Sequence, residues 1–85
     1  MDFSANVWNQ IKNKSPKDFI KALRKDGWNK DASKGAVQVF RNPRDNRRVT
    51  IHVHPGKIYG PLMVKALIED IGWSIQDMKR LGFIK

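Results

Sequence analysis

From Arg47 to His54 the chain reads as a strand, and from Arg48 onward polar and apolar residues alternate without a break, as Arg48-Val49-Thr50-Ile51-His52-Val53-His54. Residues two apart in a strand point to the same face. Val49, Ile51 and Val53 therefore need cover, while Arg48, Thr50, His52 and His54 meet water. Ala36-Val37-Gln38-Val39-Phe40-Arg41 carries the same period and supplies a partner strand. Between the two, Asn42-Pro43-Arg44-Asp45-Asn46 is a turn made of residues suited to one. Trp28-Asn29-Lys30 is expected to add a short edge strand.

The rest of the chain reads as helix. Ser4 caps a short first helix with Val7, Trp8 and Ile11 on one side. Ser15-Pro16-Lys17-Asp18 is a sharper signal, joining an N-cap serine, a proline at the first helical position and an acid at the capping-box position. Phe19, Ile20 and Leu23 form its buried stripe, with Lys17, Lys21, Arg24 and Lys25 outside, and Gly27 ends it. Gly60-Pro61 opens another helix, in which Val64, Leu67, Ile68 and Ile71 make a continuous apolar face up to Gly72. Ser74-Ile75-Gln76-Asp77 is a second capping box, starting a brief last helix through Met78 and Leu81. Trp8, Trp28 and Trp73 flank helix ends as core anchors, and Met63 and Met78 fill the core or its edge. The expected class is α+β, a small antiparallel sheet of two to three strands with helices on one face and its other face open.

Eighty-five residues allow one domain, spanning 1–85. The absence of cysteine removes thiol catalysis and thiolate metal sites, and fits a reducing compartment. Met1-Asp2-Phe3-Ser4 has no basic leader, and no stretch is long enough to span a bilayer, so a cytoplasmic protein is expected. The net charge of +9 is concentrated. Lys34, Arg41, Arg44, Arg47, Arg48, Lys57 and Lys65 face a single acid, Asp45, over that stretch. Such clustering on a hairpin points to a polyanion and away from a membrane surface.

On the open face both histidines of the chain would fall about 7 Å apart along one strand, in a row with Arg48. RNA cleavage by its own 2′-hydroxyl needs a base, an acid and cations around the phosphorane. Histidine serves in either proton role, and Arg or Lys supplies charge. His52 and His54 are thus the candidate catalytic pair. Lys34, Arg41, Arg44, Arg47, Arg48 and Lys57 are the candidate phosphate contacts. Tyr59 can stack on a base or pack at a helix entrance. Two exposed histidines are also compatible with ordinary surface residues. A zinc site would need ligands beyond the pair, with no further Cys or His to supply them, so no metal and no cofactor is expected.

These residues resemble a known family. Lys17-Asp18-Phe19-Ile20-Lys21-Ala22-Leu23-Arg24-Lys25-Asp26-Gly27-Trp28 is similar to the opening helix of the HicA family of bacterial toxins. Arg47 to Lys57 is similar to that family's last strand, which often ends in Val-His-Pro-Gly-Lys, and Leu62 to Gly72 fits the helix after it. The resemblance runs from Ser15 to Gly72. It implies a fold like a double-stranded-RNA-binding domain (dsRBD-like), cleavage of messenger RNA without metal, and a HicB-type antitoxin that covers the active surface. The family usually carries Gly-Ser-His at the start of the first long strand, and that histidine is its catalytic residue. Here the matching residues are Gly35-Ala36-Val37, while His52 stands where the family often has proline. His54 and Lys57 match. The amino-terminal helix and the stretch from Trp73 to Lys85 extend beyond the family pattern.

Three readings are open. Either the acid/base role has moved to His52 with His54 and the chain is an mRNA endoribonuclease, or it binds RNA without cutting it, as a non-catalytic module or a degenerate toxin that retains only antitoxin binding. A third reading is a subunit whose basic face docks on an acidic protein.

Overall fold

Local capping dictates the helix starts. In the computed structural model, which describes residues 3–53 and 58–85, the Ser15 hydroxyl accepts from the Asp18 N–H, and the Asp18 carboxylate accepts in return from the Ser15 N–H at 2.8 Å. This reciprocal box starts α2 (Pro16–Lys25), and the same box between Ser74 and Asp77 starts α4 (Ile75–Arg80). Ser4 caps α1 (Ala5–Ile11). Pro61 sits in the first turn of α3 (Pro61–Ile71), and Gly72 ends it at a φ of 87°, a left-handed conformation that costs glycine least.

Three strands, β1 (Asn29–Lys34), β2 (Val37–Arg41) and β3 (Arg48–His52), form an antiparallel sheet in sequence order. The expected short edge segment is a full six-residue strand, exposed throughout. Its sequence, Asn-Lys-Asp-Ala-Ser-Lys, has no apolar period to announce it; pairing with β2 through the turn at Gly35-Ala36 holds it in place. The β2–β3 turn is closed by a bond from the Asn42 N–H to the Arg47 carbonyl at 2.8 Å. Within it the Asn42 side chain accepts from the Arg44 N–H, and Asp45 accepts from the Arg47 N–H.

Phe40, Val49 and Ile51 bury the inner face of the sheet with Phe19 and Leu23 of α2 and Val64, Leu67, Ile68 and Ile71 of α3 in one core. The last helix and the carboxy-terminal residues beyond it add Met78, Leu81, Phe83 and Ile84. Trp28 and Trp73 are buried anchors, whereas Trp8 is half-buried. Met63 is a correction: it is exposed, because the inward stripe of α3 begins at Val64.

Among the described residues one acid is buried in the core. Asp26, 7% exposed, accepts from the Trp28 and Trp73 indole N–H groups at 3.1 and 3.0 Å and from Arg80 at 3.0 Å. It ties the end of α2 to the start of the sheet and to α4, so a single carboxylate braces three elements. None of the described helices is long and apolar enough to cross a membrane.

Candidate nucleic-acid interface

Register determines what shares the open face. Across β2 and β3, Arg41 pairs with Arg48, Val39 with Thr50 and Val37 with His52. Their neighbours Phe40, Val49 and Ile51 are buried against the helices, so these three pairs point outward. From β1, Asn29 lies opposite Arg41, Ala32 opposite Val39 and Lys34 opposite Val37. Val37 is therefore flanked by Lys34 on one side and His52 on the other. About 13 Å along the strands, at 3.3 Å per residue, stands the Arg41–Arg48 pair.

The outward pairs are also the close ones. The Val53 N–H donates to the Ala36 carbonyl at 2.7 Å, and the Asn42 N–H bonds Arg47 at the other end. Antiparallel pairs alternate, so Val37–His52 and Arg41–Arg48 fall at positions not hydrogen-bonded to each other, where Cα atoms approach to about 4.5 Å. The main-chain groups of His52 consequently face away from β2, and Tyr59 meets them. Its hydroxyl accepts from the His52 N–H at 3.2 Å and donates to the His52 carbonyl at 3.1 Å, standing in for a missing strand. Burial pushes the Tyr59 phenol above its ordinary range, and the His52 bond offsets only part of that. The ring packs edge-on against Phe19 at 5.7 Å. Tyr59 is thus a packing and edge-capping residue here.

Two of the expected phosphate contacts lie off the open face. Arg47 precedes Arg48 and so takes the other side of the strand, where its guanidinium donates to the Ile71 carbonyl at 3.1 Å and covers Gly72. Arg44 pairs with Asp26 at 3.5 Å. Arg41, Arg48 and Lys34 remain on the face, with His52. His54 and Lys57 lie outside the described residues. Among the described residues no three metal-capable side chains come together.

One residue on the face carries no signal in the sequence. Between Lys30 and Ala32 the β1–β2 register shifts, leaving Asp31 as the extra residue of a bulge. Its carboxylate reaches Arg48 at 3.0 Å and Arg41 at 3.7 Å. An acid inside a basic face is invisible to charge counting along the chain, because the bulge that aims it is a property of pairing.

Residues 16–73 match the family model described as the HicA toxin of bacterial toxin-antitoxin. The matched span runs from the first residue of α2 to just past α3, and so includes the whole sheet. No curated protein matches the chain. The three-stranded antiparallel sheet with helices on one face agrees with the dsRBD-like fold that the resemblance implied.

Proposed function

The chain belongs to the HicA toxin family of bacterial toxin–antitoxin systems, and from that premise we propose that it is a metal-independent mRNA endoribonuclease whose acid/base histidine is His52. One observation carries the reading. Val37, which the resemblance sets against the family's histidine, pairs directly with His52 on the same face. An imidazole is thereby restored to the same row of the sheet from the neighbouring strand. Lys34 flanks Val37 on the other side and completes a row of cation, gap and imidazole.

In this reading His52 takes the proton of the 2′-hydroxyl as its oxygen attacks the adjacent phosphorus. The bond to the 5′-oxygen breaks, a 2′,3′-cyclic phosphate forms, and the leaving oxygen receives a proton from a second acid. His54, two residues on along the alternation, is our assignment for that acid. Lys34 and Lys57 stabilise the charge that develops on the phosphorane. Arg41 and Arg48 hold a phosphate further along the strand. A HicB-type antitoxin covers this face in the resting cell, and the cysteine-free chain acts in the cytoplasm.

The test is incubation of purified protein with labelled RNA in EDTA. Cleavage that disappears in His52→Ala, with RNA binding retained, is the expected outcome. RNA that stays intact with wild-type protein overturns the enzyme reading. Binding without cleavage would favour the second reading, an RNA-binding or antitoxin-binding protein that lost chemistry when Val37 replaced the family's histidine.

A further inference from the structure

Arg41 and Arg48 stand directly opposite each other in a close cross-strand pair. Like charges so placed repel and destabilise a sheet. The β1 bulge supplies the relief by bringing Asp31 to both guanidinium groups, at 3.7 and 3.0 Å. Two convergent arginines closed by one anionic group have the composition of a phosphodiester site, because a planar guanidinium fork fits a carboxylate and a phosphate alike.

We propose that Arg41 and Arg48 form a phosphodiester subsite that Asp31 occupies in the free protein, as a resident stand-in for the phosphate. This rests on the reading of the open face as an RNA surface and adds what regulates it. All three groups are partly exposed, with side chains 30% exposed for Asp31, 48% for Arg41 and 57% for Arg48. An incoming phosphate can therefore reach the arginines without unfolding anything. Exposed ion pairs are individually weak, whereas a phosphate spanning two guanidinium groups forms charge-assisted bonds to both. The phosphate wins the exchange, and Asp31 sets how much affinity is given up in making it. Asp31 thus lowers RNA affinity while keeping the arginine pair together in the free state. A role confined to sheet stability would predict the reverse for its removal, a looser pair and weaker binding.

The experiment measures binding of a fluorescent, 2′-O-methylated single-stranded RNA, which cannot be cleaved through its 2′-position, across a range of salt concentrations. Wild type, Asp31→Asn, Arg48→Ala and the Asp31→Asn/Arg48→Ala double variant are compared, with thermal melting of each to verify folding. Asp31→Asn is expected to bind about threefold to fivefold tighter at low salt, the size of one exposed ion pair. Its salt slope should steepen toward one additional phosphate contact, about 0.7 in log–log terms for a single strand. In the double variant the gain from Asp31→Asn should shrink, because one partner of the exchange is gone. Unchanged or weaker binding by folded Asp31→Asn, while Arg48→Ala loses affinity, overturns this inference and leaves the RNA reading standing. If wild type shows no salt-dependent binding, both fall together.

Discussion

Val37 and His52 face each other across β2 and β3 at a close pair position, with the His52 main chain turned outward to the Tyr59 hydroxyl. The two positions are nearly interchangeable as platforms for an imidazole, since both project from the same row of the same face. Moving the histidine should therefore conserve chemistry. His52→Ala is expected to reduce RNA cleavage by at least about 100-fold, the usual contribution of a positioned acid or base. Val37→His added to His52→Ala should recover part of that loss. Initial rates on a labelled RNA in EDTA read both effects, and a double variant no better than His52→Ala would show that the row is not equivalent.

Tyr59 holds His52 by the backbone, so its hydroxyl should influence rate without touching RNA. Tyr59→Phe keeps the ring against Phe19 and deletes the two bonds to His52. A cost of about 1 kcal/mol in stability is expected, since water replaces a bond at an exposed edge. Amide exchange at His52 should accelerate more than exchange at Ile51, whose main chain faces β2. Cleavage should slow severalfold while RNA affinity stays near wild type.

Much of this arrangement could be read in advance where the determinants are local. The Ser15–Asp18 and Ser74–Asp77 boxes are four-residue signals, and both form as written. The alternation through Val49 and Ile51 correctly separates the buried face from the open one. What escaped depends on pairing. β1 has no apolar residue larger than alanine, so only its hydrogen bonds to β2 make it a strand. The bulge at Asp31 and the opposition of Val37 and His52 arise from register, which sequence period does not specify. Arg44 and Arg47 sit among basic residues along the chain yet reach Asp26 and Ile71: Arg47 shares the inner side of the alternation with Val49 and Ile51, and Arg44 turns from the loop to a carboxylate that only the fold brings near.

Asp26 makes stability depend on pH in a defined direction. Burial by itself would raise its pKa, but bonds from Trp73, Arg80 and Trp28, with Arg44 nearby, outweigh it and hold the carboxyl below its ordinary value of 3.8. A group depressed in the folded state contributes stability that is complete above its unfolded pKa and is lost as pH falls through the folded one. Asp77, lowered chiefly by the Ser74 N–H, acts with the same sign. The melting temperature should therefore stay level with respect to these two groups between neutrality and about pH 5, then fall below about pH 4. Asp26→Asn should cost about 1–3 kcal/mol at pH 7, since an amide cannot satisfy both indoles and the guanidinium groups. It should also flatten the acid limb, which thermal melts across the pH range would reveal.

Arg47 and Arg48 are neighbours in sequence with opposite assignments, and separate measurements should resolve them. Arg47 closes α3 by donating to the Ile71 carbonyl at 3.1 Å beside Gly72. Carbonyls at a helix end have no partner within the helix, so a cation there satisfies one and complements the helix dipole. Arg47→Ala should cost about 1 kcal/mol and lower the melting temperature by roughly 4–8 °C for a domain of this size. Because the side chain lies on the far side of β3 from the open face, RNA affinity should change by less than about twofold beyond the general effect of one charge. Arg48→Ala removes only an exposed ion pair with Asp31, worth at most about 1 kcal/mol. Its melting temperature should stay close to wild type while RNA binding weakens and the salt slope shallows by about 0.7. Equal losses of RNA affinity in the two variants would mean that binding tracks total charge, and that the open face has no privileged contact with the nucleic acid.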